Sequence, residues 1–431
     1  MFCDTLSVPI SHLGSVALAT ALSLVALCAG QSLAGELFAG AAQVPITPPD
    51  DLQPVWLAGL GPGNRPSEGV HDDLYASALA LRAGDQQIVW VALDLIGYAQ
   101  NEARALRDQI EGLRPEQIAI CCTHQHSGPD TLGLWGPGQL QSGVSEPYMA
   151  FLRGRVRQAI VNALHNCRRA RLLVSSVDVP AGLVKNVRQG GALDPAMVVF
   201  QARSLDQDEP IATLVNFAAH PEILWYESRL LTSDFPHYLR QELEQDGGVG
   251  VFVNGALGGM VTPNVTENTF AEAERIGRAL GKAAREALRR ADSADEVTLS
   301  ARREFVEVEP DNELMKMGTA MGFLKYDLTA EGRFRCELQV FGVREPKTEN
   351  RPLAQVACYP GEPVPELGLR VKRAMTAKHR LVFGLANDEL GYLVLPEQYG
   401  TQEYQLETRS CMGSSAGVAL TEALERMVAD S

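Results

Sequence analysis

Long basic tracts are missing from this sequence. Its 38 Lys and Arg residues stand against 53 Asp and Glu, a formal charge of −15, which excludes a nucleic-acid binder because that needs cations clustered on phosphates. No Cys-x-x-Cys spacing occurs, so a small zinc module is excluded. Internal repeats and low-complexity linkers are absent, which argues against a solenoid or a string of tethered modules. After residue 34 no second long apolar run follows, so the body is not a multi-pass membrane protein. Aromatic residues are sparse at 6% and do not by themselves mark a lipid entrance. With 45% hydrophobic and 21% charged residues, the 431-residue chain is an ordinary globular composition, large enough for one big domain or two.

What is present begins at the N terminus. Leu13 to Ala29 is nearly continuous apolar sequence, and Ser32-Leu33-Ala34 offers the small residues of a cleavage site. Residues 1–34 therefore read as a secretory signal peptide, which places the mature chain in the periplasm or outside the cell. The leading MFCDTLSVPISH carries no Lys or Arg, so an uncleaved membrane anchor is the alternative, at roughly 17 residues near the short limit for a span. Cys28 follows Leu27 rather than a small residue, unlike a lipoprotein site. The six remaining cysteines, Cys121, Cys122, Cys167, Cys336, Cys358 and Cys411, would be free to pair in an oxidising compartment, with no pairing assignable.

Apolar, β-branched runs alternate with amphipathic stretches. SALALRA, QIVWVALDL, QIAICCT, MVVFQAR, IATLVNFAA, GVGVFVNG, QVFGVR, LAQVACYP and HRLVFGLAN read as strands. Apolar residues at three- and four-residue spacing predict helices over 101–113, 147–166, 235–245, 269–290, 366–377 and 416–430. The expected fold is α/β, a mixed β-sheet core flanked by helices, with an additional antiparallel layer between 296 and 342.

In open α/β sheets chemistry collects where strands end. Four strand ends carry reactive residues: His124-Gln125-His126, His220-Pro221, Gly361-Glu362, and the run Asp388 to Tyr392. A fifth opens into the glycine-rich turn from Ala256 to Asn264. Of the other histidines, His12 lies in the signal and His165 and His379 in helix-like or polar contexts. His71 and His237 adjoin aspartates in loops. Three strand-end imidazoles with a carboxylate are the ligand mix of a catalytic Zn²⁺; the bland alternative is a set of hydrogen-bonded turn residues.

The motifs THQHSGP, NFAAHP, NGALGGMVTPN, YPGE and NDELGYLVLPEQY, in this order, resemble those of the amino-terminal catalytic domain of the neutral/alkaline, non-lysosomal ceramidase family. GAAQVPITPP and GVHDDLYASALAL resemble that domain's start, and the likeness runs from about residue 38 to 431. The resemblance implies one catalytic domain over 35–431, without the carboxyl-terminal β-domain of long ceramidases. It implies a single catalytic zinc held by His124, His220, Glu362 and Tyr392, and hydrolysis of a linear amide by activated water. His126 would face substrate, Arg188 of KNVRQG would be the pocket arginine, and Tyr404 would stand on the oxyanion side.

One departure concerns the family's serine in GD-x-SPN, which here is Thr262, with Gly259 or Met260 in the acidic place. Thr262 keeps the hydroxyl and adds a methyl that stiffens χ1, which suits a positioning role better than a nucleophilic one. Gly255, Gly258 and Gly259 are either turn formers or donors to a developing oxyanion. Gly413-Ser414-Ser415-Ala416-Gly417 matches a nucleophile elbow, but a polar stretch precedes it and no histidine follows His379. The implied partner is a small-molecule or lipid amide, with peripheral membrane contact left open. A different amide or ester, and a non-catalytic binding protein on the same fold, remain the other readings.

Overall fold

The computed structural model describes Met1 and residues 34–431, apart from 62, 139–140, 323 and 347–350; residues 2–33, most of the expected signal, lie outside the described residues. The strand Gly35–Pro45 is the junction of the fold. One edge pairs antiparallel with Tyr75–Ala83, from Leu37↔Ala83 to Pro45↔Tyr75. Its other edge is shared: Gly35 and Glu36 face Val297 and Glu296, while Phe38 and Ala39 face Arg169 and Arg168.

Three wings spread from this junction and complete a thirteen-stranded mixed sheet. The first holds Tyr75–Ala83, Gln86–Leu93 and Ile118–Cys122. The second runs Arg168–Asp178, Ala196–Ser204, Pro210–Phe217 and Val249–Asn254, with Asp292–Ala294 beside its first strand. The third runs Glu296–Val308, Phe334–Arg344, Ala354–Cys358 and His379–Phe383. The antiparallel strands expected after residue 296 form, pairing from Thr298↔Arg344 to Val308↔Phe334, and they hang on the sheet through Gly35 and Glu36.

The outermost pair of each wing is parallel. A parallel pair needs a crossover, and each crossover contains a helix: Gln100–Arg107, Phe235–Leu243 and Pro365–Ala374. This arrangement gives the molecule three neighbouring strand pairs whose carboxyl ends are open for loops.

The wings fold onto one another. Their inner faces share one apolar core, in which Trp90 of the first wing meets Phe200 of the second and Phe341 and Phe383 of the third edge-on, at 5.2, 5.9 and 5.6 Å between ring centres. The outer faces are covered by helices: Glu146–His165 on the first wing, Phe235–Leu243 with Phe270–Leu288 on the second, Pro365–Ala374 with Ala416–Ala429 on the third. Strands buried on both faces carry unbroken apolar runs, which is why QIVWVAL shows no alternation.

Besides several two- or three-residue strands, two long ones escape a sequence reading. Gly35–Pro45 is rich in Gly and Ala, poor strand formers, and Arg168–Asp178 opens with Arg-Arg-Ala-Arg; both are held by pairing rather than by their own preference. The helices Glu313–Ala320 and Gln405–Arg409 were likewise unforeseen. The first crossover helix stops at Arg107 rather than at residue 113, where Arg107 turns inward to a buried two-bond ion pair with Glu337 at 2.6 and 2.8 Å.

Candidate metal centre

Residues that follow all three parallel pairs meet at one place. His124 follows Ile118–Cys122, His220 follows Pro210–Phe217, Glu362 follows Ala354–Cys358, and Tyr392 follows His379–Phe383. The Nε2 atoms of His124 and His220 lie 3.3 and 3.2 Å from the same atom, Glu362 Oε2. Both imidazoles are pinned from behind: Nδ1 of His124 donates to the Ile96 carbonyl at 2.7 Å, and Nδ1 of His220 to the Val261 carbonyl at 2.8 Å. A proton fixed on Nδ1 leaves Nε2 as the lone-pair atom, the tautomer a metal requires.

Glu362 and Tyr392 are register partners in a short parallel bridge, Glu362↔Tyr392 and Pro363↔Leu393, so their side chains leave the same face. The Tyr392 hydroxyl donates to Met260 Sδ at 3.4 Å. Burial pushes its phenol well above the usual value, and the neighbouring Glu362 adds to the effect. Only a cation beside it makes a phenolate there. Burial also acts to raise the Glu362 carboxyl, but His124 and His220 outweigh it and hold the group below the usual carboxylate range.

The loops carrying these groups are tied by side chains that sequence reading did not single out. Fully buried Asn254 donates through Nδ2 to the carbonyls of Thr123 and Ala219, at 2.9 and 2.8 Å, and its Oδ1 accepts from the Ala219 amide at 3.0 Å. It therefore holds the residue before each of His124 and His220. Behind it, Gln125 donates to the Asp94 carbonyl at 2.9 Å, and the Asp94 carboxylate receives Arg240 at 2.9 Å. Arg240 also donates to Ser233, which bonds to Asp72. His71 bonds to Asp72 at 2.9 Å and His237 approaches it at 3.5 Å, which places them in this supporting chain rather than in the histidine cluster. His124 has φ 64°, Met260 58° and Asn387 62°. Such left-handed conformations cost non-glycine residues energy and persist only where the surroundings dictate them.

His126 lies beside the other two imidazoles, ring centres 5.0 Å from His124 and 5.9 Å from His220. The three rings offer nitrogens all within 4.8 Å of one another, a cluster placed to hold a metal ion. Burial lowers the affinity of His126 for a proton well below the ordinary value, and His124 and His220 add to this. Gly59, at φ +94°, packs against its ring. His124 has left the strand region at φ 64°, so the two rings do not share a side by strand alternation; the loop itself turns both inward.

A cavity of about 360 Å³ adjoins the cluster, lined among others by Glu222, Trp225, Met260, Thr262 and Lys185. Thr262 sits in the strand Val261–Pro263, paired with Lys185 of Val184–Asn186. Arg188 is held by Glu407 through two bonds of 2.7 and 3.0 Å, and its guanidinium lies 5.9 Å from the centre of the Tyr404 ring. The Tyr404 hydroxyl accepts from Gln398 at 3.1 Å.

One of the two readings open for the glycine turn is removed, and the nucleophile elbow already rejected on its sequence context does not form. The amides of Gly255 and Gly258 are bonded to the carbonyls of Phe217 and Pro363, at 3.1 and 2.9 Å, and are not available to an oxyanion. Gly258 is required for another reason, since a Cβ there would stand 2.3 Å from the Glu362 carbonyl oxygen. The Gly-x-Ser-x-Gly match is no nucleophile elbow: Ser415 begins the helix Ala416–Ala429, with the unforeseen helix Gln405–Arg409 before it instead of a strand. Among the described residues none of the six cysteines is in a disulfide.

A layered α/β molecule with a histidine–carboxylate cluster at the carboxyl ends of its parallel strands is the class that fold and site define. Among solved structures it shares its fold with neutral ceramidase from Pseudomonas aeruginosa, at a TM-score of 0.75 and 19% sequence identity, over 92% of this chain and 74% of that one. A ceramidase complexed with C2 matches at a TM-score of 0.73 and 17% identity, over 92% of this chain and 75% of the other. No family model matches the chain.

Proposed function

We propose that the protein is a zinc-dependent hydrolase of a linear amide, ceramidase-like in chemistry, with His124, His220 and Glu362 as ligands and Tyr392 as the fourth. The observation that carries this reading is the pair of Nε2 atoms converging on Glu362 Oε2 at 3.3 and 3.2 Å, each imidazole locked by a carbonyl on its far side. Two imidazoles and a carboxylate suit Zn²⁺, and a cation there would turn the buried Tyr392 phenol into a ligand phenolate. His126 is preferred as a substrate-facing group because neither of its ring nitrogens is bonded to protein. Zn²⁺ at such a site supplies Lewis-acid polarisation of a carbonyl and acidifies water to about neutrality.

The chain's own groups do the rest. His126 accepts or returns a proton at the scissile centre. Thr262, on the cavity wall, positions substrate with its hydroxyl. Tyr404 faces the oxyanion side, and Arg188 orients its ring while anchored to Glu407. Because the fold's neighbours are ceramidases, a ceramide-type lipid amide is the substrate class we favour. Export follows from the N-terminal signal; among the described residues no helix is long and apolar enough to cross a membrane.

Metal analysis of the purified protein tests the reading, with a panel of N-acyl amides assayed with and without chelator. One zinc per chain, lost in His124→Ala together with hydrolysis, is expected. Absence of zinc, or full activity in His124→Ala, refutes it.

A further inference from the structure

Two buried polar groups near the cluster are bonded to no other protein group. His126 lacks a partner on both ring nitrogens, and Glu222 lacks one on Oε2. Their side chains are 8% and 4% exposed, and His126 Nδ1 stands 3.6 Å from Glu222 Oε2. That distance is an approach, not a hydrogen bond. Glu222 also lines the 360 Å³ cavity that holds Thr262 and Met260. Among the described residues no lysine or arginine forms an ion pair with it, although Lys185 shares the cavity wall.

A buried carboxylate oxygen without a donor is costly, commonly about 1–3 kcal/mol or more. Several buried carboxylates of this fold are satisfied by a guanidinium, Asp94 by Arg240, Glu337 by Arg107 and Glu407 by Arg188; Glu389 and Glu366, like Glu222, each keep one oxygen without a donor, but neither lines this cavity. Glu222 is buried like them, yet it lines the cavity and its Oε2 stands beside His126 instead of a cation. Its backbone is fixed on both sides, its amide donating to the His220 carbonyl at 3.0 Å and its carbonyl accepting from Trp225 at 3.1 Å. The side chain is therefore held close to the cluster by the same turn that presents His220.

We infer that Glu222 receives the nitrogen of the leaving half of the substrate, and so makes the cavity selective for amides over esters. This inference rests on the hydrolase reading. Hydrolysis of an amide breaks its C–N bond and forms a C–O bond to water. The acyl half leaves as a carboxylate and the other half as an ammonium, the proton passing from water to nitrogen. An ester of the same acyl group releases a neutral alcohol. Glu222 Oε2 accepts a charge-assisted N–H bond from the departing amine, while His126, alongside, faces the same nitrogen. Sequence reading missed Glu222 because a glutamate two residues past a strand-end histidine carries no pattern; its meaning lies in what surrounds it.

Binding calorimetry on the full-length, zinc-loaded protein tests this at pH 7.5, with hexylamine and hexanol as probes. The wild type binds the ammonium at least about tenfold more tightly than the alcohol, as a charge-assisted bond implies. Glu222→Gln, close in shape, reduces the difference to within about twofold and leaves alcohol binding unchanged. In parallel, the ratio of kcat/KM for an N-hexyl amide to that for the hexyl ester of the same acid falls at least about tenfold in Glu222→Gln. Equal binding of the two probes by the wild type overturns the inference, whatever the variant does. An amine preference that survives in Glu222→Gln overturns it too. An amine preference dependent on Glu222 in a protein that hydrolyses no amide sinks the hydrolase reading and leaves the ammonium site standing.

Discussion

At the scale of the residue, His126 is set by a glycine. A Cβ at Gly59 would meet the His126 ring carbon at 2.5 Å, and φ of +94° strains any side chain there. Gly59→Ala is expected to destabilise the fold by roughly 1–3 kcal/mol and to displace the ring. If His126 faces substrate, hydrolysis falls while zinc content is retained; loss of zinc from this variant would move His126 into the ligand set. Asp388 gives a residue-scale dependence on pH. Burial pushes its carboxyl up to about 7, against the pull of hydrogen bonds from the Glu389 and Gln100 amides. The unfolded carboxyl titrates near ~4, so across the window from about 4 to 7 the folded state binds the extra proton, and stability declines as pH rises. Asp388→Asn removes this contribution. Urea midpoints at pH 4.5 and pH 8, in chelator, should show a shallower decline in the variant, with a relative gain at pH 8 of roughly 1–3 kcal/mol.

At the scale of the element, the centre is an outcome of three parallel pairs ending side by side. The strand ends and their histidines were legible, because a buried strand is a run of apolar residues and its end is where that run breaks. The ties between loops were not. Asn254 closes the strand Val249–Asn254 and bonds to Thr123 and Ala219, residues 131 and 35 positions away in the chain. No local pattern encodes such a partner. Asn254→Ala frees both ligand loops at once and is expected to weaken zinc binding by about 10–100-fold, as losses around a metal site do. Competition against a calibrated chelator measures this; an affinity within twofold of wild type would show that the two loops hold themselves.

At the scale of the whole molecule, the four proposed ligands come from all three wings, two of them from segments flanking the third. A cation at their meeting point would cross-link the three wings. Any ligand that binds only the folded state stabilises it by mass action, by about 4 kcal/mol at a free concentration one thousand times Kd. Zinc is thus expected to raise the melting temperature of the chelated wild type by several degrees and to leave that of His124→Ala unchanged, read by scanning calorimetry at matched protein concentration.

The helices over 147–166, 235–245, 269–290, 366–377 and 416–430 were determined by the sequence alone, since their periodicity reflects burial against a single neighbouring layer, and the apolar strands by unbroken runs that reflect burial on both faces. The α/β class and the candidate strand-end residues followed from the same local signal. Tertiary structure alone decided that Gly35–Pro45 is the junction of the sheet, that Arg188 belongs with Glu407, and that Glu222 faces His126. Each of these depends on groups far apart in the chain, and the free energy that selects such a partner is gained only when the wings close over a common core.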